Sequence, residues 1–181
     1  RGLVRDFLDI AALGSGKVPF LSRVVDMNAA LADVLGRHLA AAQKKNQEII
    51  IERESVADEP LNVWGSYERL MQVFDNLLSN AVKYGVPGSV IRISTRRSGG
   101  EAEARIRNDG EGFSESDKSR IFTFFQTLSA RPTGGESSTG VGLAIVKHIL
   151  DAHGGSIEVE SAQGEGATVV VRLPLVGAAS S

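Results

Sequence analysis

The sequence predicts an α+β two-layer sandwich, in which three helices cover one face of a mixed, mostly antiparallel sheet of about five strands, preceded by a short helix. Three observations support this prediction. Helix-like and strand-like periodic segments follow each other without an internal repeat. Two pairs of strand-like segments are joined by glycine-containing turns, which favours antiparallel hairpins. The longest helix-like segment is apolar over most of its circumference, as expected for a helix that packs on a sheet.

The first half of the chain is predicted to contain three helices and two short strands. Apolar residues at helical spacing predict a first helix over residues 2–13, with Leu3, Phe7 and Ile10 on one side. A second helix is expected to begin after Asp26, a favourable N-cap residue, and to fade near Asn46. The other predicted elements are strands over 47–53 and 61–64 and a long helix over 67–84.

The second half is predicted to contain two hairpins and one more helix. The first hairpin joins strands over 89–95 and 102–107, and the second joins strands over 157–160 and 167–173. Helical periodicity lies between them, over 142–152. The segment from Thr123 to Gly140 is poor in aliphatic residues and long for a loop in a small domain, which is typical of functional lids or disordered segments.

The composition describes one globular domain. The 181 residues, 42% of them hydrophobic, suffice for a buried core and exclude a second enzyme domain. Because 20 Lys and Arg residues nearly balance 22 Asp and Glu residues, no nucleic-acid partner is expected. The absence of cysteine excludes disulfides and thiolate chemistry, and no secretion signal or membrane-length apolar run is visible, so a cytoplasmic location is expected. Glycine is in excess, with 20 residues.

The helix predicted over 67–84 carries a narrow polar stripe. At about 100° per residue, Gln72, Asn76, Asn80 and Lys83 fall within about 80° of its circumference. Asparagine can supply a neutral oxygen to a hard cation, and lysine adds a positive charge for phosphate. A solvated face with helix-capping asparagines explains the same stripe, and both interpretations stay open at this point.

Two glycine-containing segments accompany this helix. In Asp109-Gly-Glu-Gly-Phe113, the glycines permit a tight turn or the close approach of a ligand, and Asp109 offers a carboxylate; a plain loop is the competing interpretation. In Thr139-Gly-Val-Gly-Leu143, the glycines precede a helix whose free N–H groups favour an anion. Neither a Walker A loop nor a Rossmann fingerprint is present.

Four segments carry a family resemblance by their order: Asn76–Tyr84, Asn108–Gly112, Phe122–Phe125 and Gly140–Leu143. They resemble the N, G1, F and G2 boxes of the ATP-binding domain of sensor histidine kinases, over about 22–175. The resemblance implies the Bergerat ATP-binding fold that gyrase and Hsp90 share, with ATP and Mg²⁺ as cofactors. It also implies a catalytic domain over 22–176, the end of a dimerisation and phosphoacceptor hairpin over 1–18, and a disordered tail over 177–181.

The resemblance implies a role for each residue of these boxes. Asn76 is expected to coordinate Mg²⁺ and to form the catalytic centre with Lys83, while Asn80 supports the phosphates. Tyr84 is expected to pack near the nucleotide, and Asp109 to accept a hydrogen bond from the adenine amino group. The remaining residues expected to bind the nucleotide lie in the two glycine segments: Gly110, Gly112, Phe113, Thr139, Gly140, Val141, Gly142 and Leu143.

The implied reaction is transfer of the ATP γ-phosphoryl group to a histidine, for relay to an aspartate of a response regulator receiver domain. An acceptor imidazole needs an acidic neighbour, and His38, His148 and His153 are each interpreted as structural. The acceptor is therefore expected upstream of Arg1, in a helical hairpin of a homodimeric parent protein. The chain alone is expected to bind ATP without phosphorylating itself, and a membrane-anchored parent is compatible with this expectation.

The sequence also departs from the family pattern. Thr123 and Ser138 stand where proline and glycine are frequent, and Gln126 replaces an arginine whose charge Arg131 is a candidate to supply. These departures leave open a non-catalytic ATP-binding signalling module. Gln72 replaces the glutamate that activates water in the ATPases of the superfamily, which disfavours hydrolysis. A serine kinase of the same superfamily is the other enzyme alternative.

Overall fold

The computed structural model describes residues 22–53, 60–124, 131–135 and 140–177. Along these ranges, one strand and one helix are followed by three pairs of consecutive strands, with helices between the pairs. The strands are β1 (Arg23–Asp26), β2 (Glu48–Arg53), β3 (Asn62–Gly65), β4 (Val90–Ser98), β5 (Glu101–Asn108), β6 (Ser156–Ser161) and β7 (Ala167–Pro174). The helices are α1 (Met27–Lys44), α2 (Tyr67–Tyr84), α3 (Glu115–Lys118) and α4 (Gly142–Ala152).

Five strands form one mixed sheet in the order β2-β4-β5-β7-β6. Strand β2 runs parallel to β4, with Glu48 opposite Val90, and the other three pairings are antiparallel. The parallel pair follows from the crossover between β2 and β4, which contains α2, whereas β4–β5 and β6–β7 are the two predicted hairpins. The predicted mixed, mostly antiparallel sheet is confirmed.

Helix α2 lies at the centre of the helical layer and packs against both α1 and α4. Its inward side chains are almost completely buried because the helix contacts the sheet as well as its neighbours. The sheet residues beneath the helices are also apolar and buried: Ile91, Ile93, Ala102, Ala104, Ile106, Val171 and Leu173. This arrangement holds the polar stripe of α2 in a fixed position at the edge of the core.

Local signals set the ends of the long helices. Helix α1 begins after the N-cap residue Asp26, whose Oδ1 atom accepts hydrogen bonds from the backbone N–H of Asn28 at 3.0 Å and of Leu61 at 3.1 Å. Helix α2 begins after Ser66 and ends at Gly85, whose N–H donates to the carbonyl of Ala81. Its bounds coincide with the predicted ones.

Two short elements were not predicted. Strand β1 pairs antiparallel with β3 in a separate two-stranded sheet, and α3 is a single turn with a capping box between Ser114 and Asp117. Four residues are too few for periodicity to reveal either element. The helix predicted over 2–13 and the predicted tail beyond Gly177 lie outside the described residues. Across the described ranges, no helix is long and apolar enough to span a bilayer.

The outer face of the sheet carries a network of charges centred on Glu103, whose side chain is 1% exposed. Its carboxylate accepts hydrogen bonds from Arg96 and Arg172, each at 2.8 Å. Burial acts to raise the pKa of Glu103, but these hydrogen bonds outweigh it and hold the pKa below its ordinary value. The network closes the face of the sheet that the helices leave uncovered.

Candidate functional site

The polar stripe of α2 faces the N-terminus of α4. The Asn76 side-chain amide donates from Nδ2 to the carbonyl of Gln72 at 3.0 Å, which leaves Oδ1 as its outward acceptor. A β-carbon placed on Gly142 would stand 3.1 Å from this Oδ1 atom and 3.9 Å from Nδ2 of Asn80. The structure therefore brings the N and G2 segments of the sequence into direct contact.

The first turn of α4 presents its backbone to this contact. Val141 is the N-cap residue and makes no side-chain cap hydrogen bond, while Gly140 has a φ of +65°. The side chains of Val141 and Leu143, both predicted to bind the nucleotide, are buried in the core. These two residues can therefore reach a ligand through their backbone only. The free N–H groups of this turn lie at the N-terminus of α4, which is the positive end of the helix dipole.

The backbone that follows β5 contacts the backbone at the C-terminal end of α2, on the other side of the polar stripe from α4. Gly110 forms a bridge with Gly85, and the N–H of Val86 donates to the carbonyl of Asp109 at 2.9 Å. A β-carbon on Gly110 would lie 2.6 Å from the carbonyl oxygen of Tyr84. A side chain at position 110 would strike the backbone at the end of α2. Glycine is therefore required here whether or not a ligand is bound.

Gly112 and Phe113 contact the turn between β6 and β7. Gly112 has a φ of +69°, and a β-carbon there would lie 2.2 Å from the carbonyl oxygen of Ala162. The N–H of Phe113 donates to Oγ of Ser161 at 2.9 Å, and its ring packs against the core. Gly112 was expected to bind the nucleotide, whereas the atoms nearest to its β-carbon position belong to this turn.

Asn108 and Asp109 point to opposite sides of the sheet, because consecutive residues of a strand alternate. The Asp109 side chain is 56% exposed, and its carboxylate lies 3.9 Å from the guanidinium of Arg107. Both residues line an open cleft of about 750 Å³ with Glu160 and Thr168. The Asp109 carboxylate therefore lies on the side of the sheet that faces away from the helices.

Asn108 is the polar side chain that faces the helices at this strand end. It is 9% exposed, and its Cβ lies 3.7 Å from the point where a β-carbon on Gly85 would stand. Its Nδ2 atom lies 3.3 Å from the corresponding point on Gly110. Asn108 was not predicted as a site residue, although its alternation with Ile106 indicates that it lies on the buried side.

Residues 131–135 dock on the C-terminal end of α2. Thr133 donates from its N–H to the carbonyl of Lys83 at 2.9 Å and from Oγ1 to the carbonyl of Gly85 at 2.8 Å. Lys45 donates to the carbonyls of Val82 and Lys83 and to Oγ1 of Thr133, at 3.0, 2.9 and 2.9 Å. No sequence signal indicated these contacts, because they join distant segments.

The remaining predicted residues are placed as follows. Lys83 and Tyr84 are half-buried on the last turn of α2, and Arg131 is exposed. Phe122 and Phe124 pack against the core. Four residues of the family's motifs lie outside the described residues: Phe125, Gln126, Ser138 and Thr139.

The donor set suits Mg²⁺ better than a metal held by protein side chains alone. No cluster of three or more His, Cys, Asp or Glu side chains able to hold a metal occurs within the described ranges. Mg²⁺ commonly takes one or two protein oxygens and completes its shell with phosphates and water. The outward Oδ1 atom of Asn76 is such an oxygen, so the residues present fit this ion.

Fold and site together define a nucleotide-binding domain of the α+β sandwich class, in which amide side chains and a glycine-flanked helix start converge on one helix. Comparison with known proteins agrees. Residues 65–177 match the family described as "Histidine kinase-, DNA gyrase B-, and HSP90-like ATPase". The chain belongs to this family, which confirms the resemblance found in the sequence.

Relatives that match the chain include sensor histidine kinases. The sensor-like histidine kinase SenX3 of Mycobacterium tuberculosis is 34% identical over 176 residues, which cover 95% of this chain and 41% of SenX3. The full-length structure of ShkA in complex with AMPPNP aligns with a TM-score of 0.81 and 28% identity, over 99% of this chain and 36% of ShkA. The mycobacterial sensor histidine kinase MprB aligns with a TM-score of 0.71 and 26% identity, over 86% of this chain and 98% of that structure. The chain spans less than half the length of SenX3.

Proposed function

We propose that this chain is the ATP-binding catalytic domain of a two-component sensor histidine kinase. In this proposal it transfers the γ-phosphoryl group of ATP to a histidine outside the chain, for relay to a response regulator aspartate. One observation carries the proposal: Gly142 abuts Asn76 and Asn80 on one side of α2, while Gly110 abuts Tyr84 on the other. The site thus offers amides and backbone N–H groups to phosphates at one end and a buried amide to a base at the other.

The phosphate end of the site would work by positioning and charge neutralisation. Asn76 would hold Mg²⁺ through Oδ1, and the ion would neutralise phosphate charge when bound. Lys83 follows Asn80 by three residues on the same stripe of α2, where its ammonium would add positive charge beside the phosphates. The first turn of α4, with Gly140 and Gly142, would add backbone donors.

The base end of the site is assigned to Asn108 in place of Asp109. The Asn108 carboxamide lies on the buried side of β5, next to Gly110 and Gly85, where Oδ1 can accept a hydrogen bond from the adenine amino group. Asp109 contributes its backbone only, since its carboxylate lies beside Arg107 on the outer side. Tyr84 would pack next to the base.

Transfer to a protein group is favoured over hydrolysis. Gln72 stands where the hydrolytic relatives have glutamate, and its Oε1 atom accepts a hydrogen bond from Arg69 at 2.8 Å. A carboxamide has no basic lone pair to activate water at neutral pH. The domain therefore lacks, at this position, the base that hydrolysis requires.

The contacts of two histidines place both of them in the packing between elements of this domain. His38 does have an acidic neighbour in space, Oδ1 of Asp75 at 3.0 Å, which the sequence did not reveal. This pair joins α1 to α2, while both ring nitrogens of His153 contact the backbone. We propose that the acceptor lies in an upstream hairpin of a homodimeric parent. Because ATP and receiver domains are cytoplasmic, the domain would act there even if the parent is membrane-anchored.

Calorimetric titration with ATP, with and without Mg²⁺, tests the binding proposal on the full chain. Asn76→Ala should weaken binding mainly when Mg²⁺ is present. Asn108→Ala should lose about tenfold in affinity through one hydrogen bond, whereas Asp109→Asn should change it less than about twofold. If Asp109→Asn lowered the affinity for ATP and Asn108→Ala did not, the adenine base would be contacted by Asp109 and not by Asn108.

Phosphotransfer is tested by incubation with γ-labelled ATP. We expect no acid-labile phosphohistidine on the chain alone, and labelling when the parent's upstream hairpin is added in trans. ATP binding without any transfer to that hairpin would favour the non-catalytic signalling module, and phosphoserine on an added partner would favour the serine kinase.

A further inference from the structure

Asn108 presents a carboxamide at the base end of the proposed nucleotide site. The side chain is 9% exposed and lies beside Gly85 and Gly110, which carry no β-carbons to crowd it. A carboxamide offers both an acceptor, Oδ1, and a donor, Nδ2, whereas an ionised carboxylate only accepts hydrogen bonds. The chemistry of this one group therefore influences which bases the site can recognise.

Adenine and the 6-oxopurines present opposite hydrogen-bond patterns to such a group. Adenine has an amino donor on C6 and an acceptor at N1, whereas guanine and hypoxanthine have a carbonyl acceptor on C6 and an N–H donor at N1. A carboxamide matches the first pattern with its oxygen toward C6, and it matches the second after a half-turn of the amide group. The half-turn exchanges an oxygen and a nitrogen of nearly the same size, so it needs no extra space.

The contacts of Asn108 permit this half-turn. Its Nδ2 atom donates to the carbonyl of the adjacent Asp109 at 3.4 Å, which is longer than the usual range of about 2.7–3.2 Å. The same carbonyl also accepts the N–H of Val86 at 2.9 Å, so it keeps a partner when the Asn108 amide turns. The Asn76 amide, by comparison, donates to the carbonyl of Gln72 at 3.0 Å. The orientation of the Asn108 amide is therefore held only weakly.

A second buried amide beside Gly85 is held more firmly. Gln47 is 6% exposed, and its Nε2 atom donates to the carbonyls of Val82 and Val86, each at 3.3 Å. A half-turn of this amide would bring Oε1 against two carbonyl oxygens, so its present orientation is fixed. Of these two buried amides, Asn108 is the one that can adapt to a ligand.

We propose that the site binds 6-oxopurine nucleoside triphosphates, GTP or ITP, as well as ATP, because the Asn108 amide can turn to match either base edge. This inference rests on the proposed function and extends its substrate class. It also assigns the lack of selectivity to one residue. A carboxylate in the same place would accept from the adenine amino group but would repel the carbonyl oxygen of a 6-oxopurine.

Titration calorimetry of the full chain with Mg²⁺ and each of ATP, GTP, ITP and inorganic triphosphate tests the proposal. The Kd values of GTP and ITP should lie within about fivefold of that of ATP, because the amide makes the same number of hydrogen bonds to each base. Inorganic triphosphate should bind at least about tenfold more weakly, because it lacks the base contact. ITP lacks the 2-amino group of guanine, so it reports on the amide alone, and GTP shows whether that group also fits.

Asn108→Asp should restore selectivity for adenine. At about pH 8 the introduced carboxyl is ionised, and the ratio of the Kd for ITP to the Kd for ATP should rise by at least about tenfold. Asn46→Asp is the matched control, because it makes the same replacement at an exposed residue whose φ of +53° suits both side chains. It should leave the ratio unchanged.

The outcomes separate this inference from the proposed function. ATP binding with rejection of both GTP and ITP by more than about fiftyfold would overturn the inference and leave the proposed function in place. An unchanged ratio in folded Asn108→Asp would also overturn it, and the ratio in the unmodified chain decides the matter if that variant does not fold. Failure to bind ATP would overturn both.

Discussion

The side-chain oxygen of Asn76 lies 3.1 Å from the point at which a β-carbon on Gly142 would stand. The Asn76 amide nitrogen is fixed by the carbonyl of Gln72, so the oxygen cannot turn away without losing that hydrogen bond. The space beside Gly142 is therefore occupied by the group that we assign to Mg²⁺. Glycine at this position keeps the start of α4 within reach of α2.

Gly142→Ala should weaken Mg²⁺-dependent ATP binding by about tenfold, because the added methyl group crowds Oδ1 of Asn76. Titration calorimetry with and without Mg²⁺ measures this effect. Gly36→Ala is the matched control, since nothing lies within 4 Å of its β-carbon position in α1. The control should keep its affinity and gain about 0.5–1 kcal/mol of stability. Unchanged binding by Gly142→Ala would contradict the site.

The charge network on the outer face makes stability depend on acidic pH. Because the pKa of Glu103 is lowered on folding, its contribution is complete above the ordinary value of 4.5 and is lost as the pH falls through the folded pKa. Glu103→Gln should cost about 2 kcal/mol at neutral pH and flatten the acid limb of the stability profile. Urea denaturation at a series of pH values measures both quantities.

Glu158→Gln provides the control for this prediction. Glu158 also pairs with Arg172, but its side chain is 58% exposed, so the substitution should change stability by less than about 0.5 kcal/mol. Equal losses in the two variants would mean that burial of Glu103 does not set the strength of the network.

His153 connects the end of α4 to the start of α2. Its Nδ1 atom lies 2.7 Å from the carbonyl of Ile149, and Nε2 accepts the N–H of Ser66 at 3.0 Å. A β-carbon on Gly65 would stand 2.4 Å from the imidazole ring. His153→Ala should cost about 1–3 kcal/mol by leaving a buried N–H without its partner. Gly65→Ala as a single substitution should also lower the stability of the domain.

The double variant distinguishes this contact from two independent effects. Gly65→Ala should cost at least about 1 kcal/mol less in the His153→Ala background, because the ring that it strikes is gone. A double-mutant cycle from urea denaturation measures the coupling. If the unfolding free-energy changes of the two single variants added up to that of the double variant, Gly65 and His153 would contribute to stability independently.

Lys45 stabilises the C-terminal end of α2 and the docked Thr133. Lys45→Met should lower stability by about 1–2 kcal/mol, because it removes an ammonium that bonds two terminal carbonyls. Thr133→Val should cost less, since the N–H of residue 133 still bonds the carbonyl of Lys83. Thermal melting measures both variants. Lys44→Met is the neighbouring control and should have little effect, because Lys44 is exposed.

The predicted bounds were most accurate for the elements that have strong local sequence signals. Helix α2 has a cap at Ser66, a terminator at Gly85 and a continuous apolar arc, and its predicted bounds are correct. The two hairpins were also located correctly, with strand ends extended by a few residues. Strand β1 was missed because its four residues gain their strand structure from pairing with β3.

The sequence by itself determined the family, the order of the elements and the polar stripe of α2, because these depend on residue types and on spacing along the chain. Only the tertiary structure decided which side chains meet. It placed Asn108 inward and Asp109 outward, set Gly142 against Asn76, and docked Thr133 on Lys45. The physical reason is that periodicity records interactions between near neighbours, whereas the direction of a side chain at a strand end depends on the packing of distant segments.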